Sequence, residues 1–285
     1  MRRSGYTLLE VIVVISILTL LSGLIMAAVA KARSAAARLQ CANNLKQIAL
    51  ALHQFHDVRG SLPPGTEADH PKNSQPYTTW LRKLLPFVER SAQSEEIDRA
   101  FARDRSFLNL QVHTGRRTGI PLFVCPLDPR GLVSSNPRLL PNGIGFTAYL
   151  GVEGQDQRQK DGVLFYDSKT RFDDVSDGLS NTLMVGERPP SATERFGWWY
   201  AGWGMNQEGT LDATLGSNCF NTGLVGCPYS MPFAAGTLRN ECDSLHFWSL
   251  HPGGAHFALC DGSVKLLAYE IGAGLTAMAT RAAAD

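Results

Sequence analysis

Between Val11 and Ala30 the chain has no Asp, Glu, Lys, Arg or His. That absence excludes an ordinary soluble N-terminus, because twenty uncharged and mostly apolar residues are enough to cross a bilayer as a helix. From Lys31 to Val58 there is no Gly or Pro, so nothing in this stretch stops a helix. Six cysteines are present, but none sits in a CxxC, which excludes a zinc ribbon or a thioredoxin-type motif. There is no P-loop, no GxGxxG and no nucleophile elbow, and no enzyme is expected. The 285 residues carry a formal net charge of only +1, so no nucleic-acid partner is expected either.

What stands at the N-terminus is Met1-Arg2-Arg3-Ser4-Gly5-Tyr6-Thr7-Leu8-Leu9-Glu10, followed by the apolar run. A carboxylate at the membrane boundary is costly without a partner, which marks Glu10 as functional. Cleavage after Gly5 would give Tyr6 a new α-amino group, and residues four apart share a helix face. In a packed array the carboxylate of one subunit could instead neutralise the amine of its neighbour. Glu10 also falls in the first turn, where the helix dipole favours negative charge. Two other readings compete. Ala28-Val29-Ala30 resembles a signal-peptide cleavage site, although the apolar run is longer than usual and Glu10 precedes it. An uncleaved anchor is the other. Charge counting leaves orientation open, because Arg2 and Arg3 are balanced by Lys31, Arg33 and Arg38 beyond the span.

The order basic residue, Gly5, aromatic Tyr6, Thr7, two apolar residues, Glu10 resembles the processing site of type IV prepilins and type II secretion pseudopilins. The resemblance implies cleavage between Gly5 and Tyr6 by prepilin peptidase and N-methylation of Tyr6. It also makes Glu10 the assembly glutamate, and it places the head outside the cytoplasm. Tyr6 stands where Phe is commoner, and Ser4 separates the basic residues from Gly5.

Residues 31–58 are rich in good helix formers, with Leu45, Ile48, Ala49, Leu52 and Phe55 on one stripe. Gly60 and Pro63-Pro64-Gly65 end the pattern. The spacing predicts one helix from about Tyr6 to Val58, with its first half in lipid and its stripe against a β-sheet. Thr79–Glu89 and Ser94–Phe107 are expected as short helices, with Ser94 as an N-cap. Strands are expected at Leu122–Cys125, Phe146–Val152, Gly162–Tyr166, Asn181–Glu187, Trp198–Trp203, His246–Leu250, Ala255–Cys260 and Ser263–Ala268. A hairpin is expected at Asp261-Gly262, with both residues at positive φ. A last helix falls near Leu275–Arg281. Residues 204–242, rich in Gly, Asn and Cys, are expected as a loop-like insertion.

The spacing from His251 to Asp261-Gly262 resembles the H-x9-DG motif that ends the domain-of-unknown-function 1559 family, whose members carry a prepilin-type N-terminus. Cys41-Ala-Asn-Asn-Leu-Lys-Gln-Ile, Gly60-Ser-Leu-Pro-Pro-Gly65, Cys125-Pro-Leu-Asp128 and Asp177-Gly-Leu-Ser-Asn-Thr182 agree with it, and 190–242 matches least. The resemblance implies architecture and brings no enzymatic activity.

Three candidate sites follow in the head, each with an ordinary alternative. His251, His256 and Asp261 are of the types that hold zinc or a related ion, against a plain hairpin turn with His251 bonded to nearby backbone. Asp173, Asp174, Asp177 and Asn181 form an oxygen-rich loop of the kind calcium prefers, and some pseudopilins bind calcium in their heads; the residues are also common in turns. Trp198, Trp199, Tyr200 and Trp203 offer a glycan or protein surface, against a core strand. Cys219 and Cys227 flank a short loop and form the candidate disulfide, with buried free thiols as the alternative.

The expected architecture is α+β and pilin-like: leader 1–5, membrane and assembly helix 6–30, its continuation 31–58, and a mainly antiparallel β head over 59–285. The expected role is a structural subunit in the inner membrane, with its head in the periplasm or on the cell surface. Its partners would be prepilin peptidase, the membrane and other pilin-like subunits. A membrane-tethered binding module that never polymerises is the second reading.

Overall fold

The computed structural model describes residues 7–68, 77–134, 136 and 143–282. Helix α1 runs unbroken over Leu8–Arg59. At 1.5 Å per residue it is about 80 Å long. Thr7 and Glu10 form a capping box at its start, and Gly60, at φ 78°, closes it in the left-handed conformation. Residues 7–36 are exposed throughout. From Cys41 onward one side is buried, through Asn44, Leu45, Ile48, Ala49, Ala51 and Leu52. The expected stripe is therefore the packed face, except that Phe55 is only partly buried. α1 is long and apolar enough to cross a membrane.

The head is built on a five-stranded sheet in the order β6-β3-β4-β7-β8. The strands are β3 (Tyr149–Gly154), β4 (Leu183–Glu187), β6 (Thr214–Gly216), β7 (Gly254–Leu259) and β8 (Val264–Ala268). All pairings are antiparallel except β3 with β6. A smaller antiparallel sheet joins β1 (Thr66–Ala68), β2 (Tyr77–Thr79) and β5 (Ala201–Gly202). The protein is thus α+β, with a long apolar helix on a mostly antiparallel head.

Alternation along the strands divides the core in two. Ala255, Phe257 and Leu259 of β7 meet Leu150, Val152 and Leu183 on one side. Ala258 and Cys260 meet Leu45, Ile48, Leu52, Tyr149 and Val185 on the other, which is the side α1 covers. Burial of a Leu or Ile side chain is worth roughly 1.5–3 kcal/mol, so the five apolar residues of the stripe are the main hold on the helix. Lys46 adds a polar tie, its Nζ donating to the carbonyl of Gly262 at 2.7 Å.

Several elements differ from expectation. Leu122–Cys125 is a 3-10 turn over Pro121–Phe123, because Pro121 pre-sets a helical φ and has no N–H for a ladder. Gly162–Tyr166 makes only a single bridge, from Tyr166 to Thr66. His246–Leu250 follows a 3-10 turn, Glu241–Leu245, and forms no strand, its Trp248 N–H donating to Glu187 O of β4 at 3.1 Å. Thr79–Glu89 divides into α2 (Trp80–Lys83) and a 3-10 turn at Leu85–Val88, broken by Pro86. α3 spans Ser91–Arg103, so Ser94 lies inside it rather than capping it. α4 is Gly274–Ala279. Residues 204–242 are more than a loop, since β6 joins the main sheet with Leu211, Ala213 and Leu215 buried.

The β7–β8 hairpin forms where expected, with a different turn. The N–H of Gly262 donates to Leu259 O at 2.9 Å, and that of Leu259 to Ser263 O at 2.9 Å. Only Gly262, at φ 77°, is left-handed. The loop is a three-residue turn closed by one left-handed glycine, not a two-residue turn with both positions at positive φ.

Candidate functional site

Two places bring chemistry together, one at each end of the buried and exposed halves of α1. At the membrane end, the Glu10 carboxylate accepts from the Thr7 N–H at 2.8 Å and from the Thr7 hydroxyl at 3.0 Å. The Glu10 N–H donates to Thr7 Oγ1 at 3.3 Å. The carboxylate therefore faces the start of its own helix, where Tyr6 would follow upstream. Gly5 and Tyr6 lie outside the described residues.

The second place is a buried polar cluster where α1 enters the head. Glu187 ends β4 and His256 lies on β7, both on the sheet face that α1 covers. His251 sits in the loop before β7, its N–H donating to Ser249 Oγ at 3.0 Å while that hydroxyl donates to Gly254 O at 2.7 Å. Cys41 comes from α1 and Cys125 from the chain after the Pro121 turn. All five side chains are buried. The Cys41 and Cys125 sulfurs are 2.8 Å apart. Cys125 Sγ is 3.8 Å from His251 Nε2, and Glu187 Oε1 is 3.5 Å from the same nitrogen. Glu187 Oε2 accepts from the His256 N–H at 2.7 Å and from its Nδ1 at 3.0 Å. Tyr149 and Asn44 close one side, with Asn44 Nδ2 3.4 Å from the Tyr149 hydroxyl.

Charges in this cluster hold one another. Burial works against the Glu187 carboxylate, but hydrogen bonds and charge from His251 and His256 outweigh it and hold its pKa below the usual range. Burial likewise works against a charged His251, yet Cys125 and Glu187 push its pKa up to about 9. As free thiols, the two cysteines share one hydrogen bond, donated by Cys41. It lowers the pKa of Cys125 and raises that of Cys41.

Among the described residues, two sets of three ligand-type atoms lie within 4.8 Å of one another: Cys41, Cys125, His251 and Glu187, His251, His256. The first set does not have the shape of a zinc site. Two thiolates on a tetrahedral ion, each with Zn–S of about 2.3 Å, stand about 3.8 Å apart. In the second, both carboxylate oxygens of Glu187 already face imidazoles. Neither set includes Asp261, which stands beyond the far end of β7 from His251 and accepts from the Ser263 N–H at 2.8 Å. It belongs to the turn. The acidic loop also serves local structure: Asp173 pairs with Arg171, Asp174 accepts from the Arg171 N–H, and Asn181 donates to Asp177 O.

One further expectation is corrected. The disulfide joins Cys227 to Cys242, not to Cys219. Cys219 is a buried free thiol in the apolar cluster beside β6, on the side away from solvent, while Cys227 reaches the turn at Glu241–Leu245. For the aromatics the core alternative is the one observed: Trp198, Trp199 and Tyr200 are core residues at 2%, 0% and 0% exposure, and Trp203 is partly buried. Sequence reasoning missed Cys41, Cys125 and Glu187 as neighbours of His251. The two cysteines had a signal, since both lie in the short motifs quoted above.

Comparison with known families bears on both places. Residues 1–26 match the prokaryotic N-terminal methylation motif. Residues 30–274 match the family described as "Protein of unknown function (DUF1559)". This chain belongs to the DUF1559 family. The buried cluster therefore lies within the DUF1559 region of the chain, and Glu10 within the methylation motif. No curated protein and no solved structure matches this DUF1559 protein.

Proposed function

We propose that this DUF1559 protein is a pilin-like structural subunit, processed at its N-terminus and held in the inner membrane by the first half of α1. Prepilin peptidase cuts between Gly5 and Tyr6, removing residues 1–5, and the new Tyr6 amine is methylated. Residues 6–30 lie in the membrane and then pack against the same segment of other pilin-like subunits. Residues 31–58 carry the head, 59–285, in the periplasm or on the cell surface.

The observation that carries this reading is one continuous helix with two kinds of surface. Its methylation-motif end is apolar and wholly exposed, and its far end is packed into the head. An exposed apolar surface of that length needs lipid or other helices around it. Assembly then turns on Glu10, which sits in the first turn of the helix, four residues after Tyr6 in sequence. In a helical array, the amine of one subunit and the carboxylate of the next neutralise each other in a medium where either alone is costly.

The test is to shear filaments from cells carrying a tagged chain and to compare wild type with Glu10→Ala. The expected result is tagged chain in the sheared fraction for wild type only, with both proteins in the membrane fraction. Equal amounts of both in the filaments would contradict the pairing. Wild type confined to membranes would favour a tethered module that never polymerises.

A further inference from the structure

Cys41 is the first buried residue of α1, at the point where the exposed rod enters the head. Its sulfur lies 2.8 Å from that of Cys125, 84 residues away in sequence. We propose that Cys41 and Cys125 are an oxidisable dithiol that closes to a disulfide, a covalent latch between the assembly helix and the head.

Four observations support the latch. First, non-bonded carbon atoms pack best at about 3.5–4.0 Å, and sulfur is larger than carbon, so two thiol sulfurs at 2.8 Å are crowded. Closing to a bond of about 2.05 Å relieves this with a movement of about 0.75 Å. Second, holding a tetrahedral metal requires the opposite movement, by about 1 Å. Third, the pair is buried, with Ala148 and Leu127 packed against it beside the His251 imidazole, and burial suits an uncharged disulfide better than a pair of thiolates. Fourth, the head already holds the Cys227–Cys242 disulfide, so this chain matures where thiols are oxidised.

The position gives the bond a mechanical purpose. Without it the helix is held to the head by the apolar stripe and a few polar ties. A pull on the head is then borne first at Cys41, where the packed stretch begins. A covalent link there carries the load directly to the segment before Leu127.

The chemistry is thiol–disulfide exchange with an oxidised dithiol carrier. The Cys125 thiolate attacks one carrier sulfur. The carrier's S–S bond breaks, a mixed disulfide forms and one carrier thiolate leaves. Cys41, losing its proton, then attacks the Cys125 sulfur and expels the second carrier thiolate. Two electrons and the two thiol protons pass to the carrier. Both sulfurs are buried in the finished head, so the exchange precedes its closure.

The latch shares the extracytoplasmic head of the proposed function but does not depend on polymerisation. The test is a peptide map of the full-length protein, extracted from membranes in detergent, alkylated without reductant and digested with trypsin. The expected product is a linked pair of Leu39–Lys46 and Thr118–Arg130, cleaved by reductant, with Cys219 and Cys260 alkylated. Alkylated Cys41 and Cys125 beside an intact Cys227–Cys242 bond would overturn the latch, whether or not elemental analysis finds a metal. If Cys227 and Cys242 are also alkylated, the latch falls together with the extracytoplasmic placement of the head. Failure of Glu10→Ala to disturb filaments would leave the latch standing. A second measurement needs no digestion. In a Cys227→Ala/Cys242→Ala chain, reductant is expected to lower the melting temperature, and to have no effect once Cys41→Ala is added. No reductant effect in the first chain would contradict the latch.

Discussion

Glu10 has one observed role, as part of a helix cap, and one proposed role in assembly, and a conservative change separates them. Its carboxylate closes a capping box with Thr7, and a glutamine serves that box as well as a glutamate does. Its charge is what an amine from a neighbouring subunit would meet. Glu10→Gln is therefore expected to keep the helix start and still fail to enter filaments, like Glu10→Ala. Filament entry by Gln but not Ala would make the residue a cap and nothing more. A second residue reports on pH. Glu153 is buried and its pKa is pushed up to about 7 by burial, against the opposing hydrogen bonds from Thr214 and Thr210. A carboxyl raised in the folded state is favoured as the neutral acid. Its contribution is full below about 4.5 and is lost as pH rises through about 7. Glu153→Gln escapes that loss, so its stability relative to wild type should rise between pH 5 and pH 8, by up to ~3 kcal/mol. Melting curves at the two pH values check this, and a constant offset would contradict it. Glu187 behaves differently, because it is the shared partner of His251 and His256. Glu187→Ala strands buried imidazoles and is expected to cost about 3 kcal/mol or more, seen as a lower denaturation midpoint of the detergent-extracted protein.

At the scale of elements, α1 is two surfaces on one rod. Leu45→Ala and Leu52→Ala remove fully buried side chains and should each cost about 2–5 kcal/mol of head stability. Leu21→Ala, on the exposed half, should leave the head's melting temperature unchanged. Equal effects at Leu45 and Leu21 would mean that the stripe does not hold the helix. This helix was legible in the sequence because every signal agreed: the charge-free run, the absence of breakers, the three-and-four spacing and the Gly60 stop. The β7–β8 hairpin was legible for the same reason. Elsewhere local pattern and packing parted. Leu122–Cys125 and His246–Leu250 are apolar and β-like in composition, yet both are buried as turns or irregular chain, since burial rather than pairing is what apolar runs require. β1, β2 and β6 are three residues each, too short for alternation to show.

At the scale of the whole molecule, the chain separates an exposed apolar rod from a packed head along its length. The rod, which we propose enters membrane and filament, is apolar and regular, and its proposed chemistry is set by a handful of residues near the start. Its methylation motif could be read from sequence because the motif residues lie close together in the chain. The buried cluster could not, because Cys41, Cys125, Glu187 and the His251–His256 stretch are four separated segments that only the fold brings together. His251 and His256 drew notice as neighbours in sequence, but the partner expected for them, Asp261, is carried away by the length of β7. The account rests on a mature chain that begins at Tyr6. Mass spectrometry of the native N-terminus measures this directly. The expected result is an N-methylated Tyr6 at the start, followed by Thr7 and the intact apolar helix; a native chain that begins at Met1 or at Lys31 would contradict it.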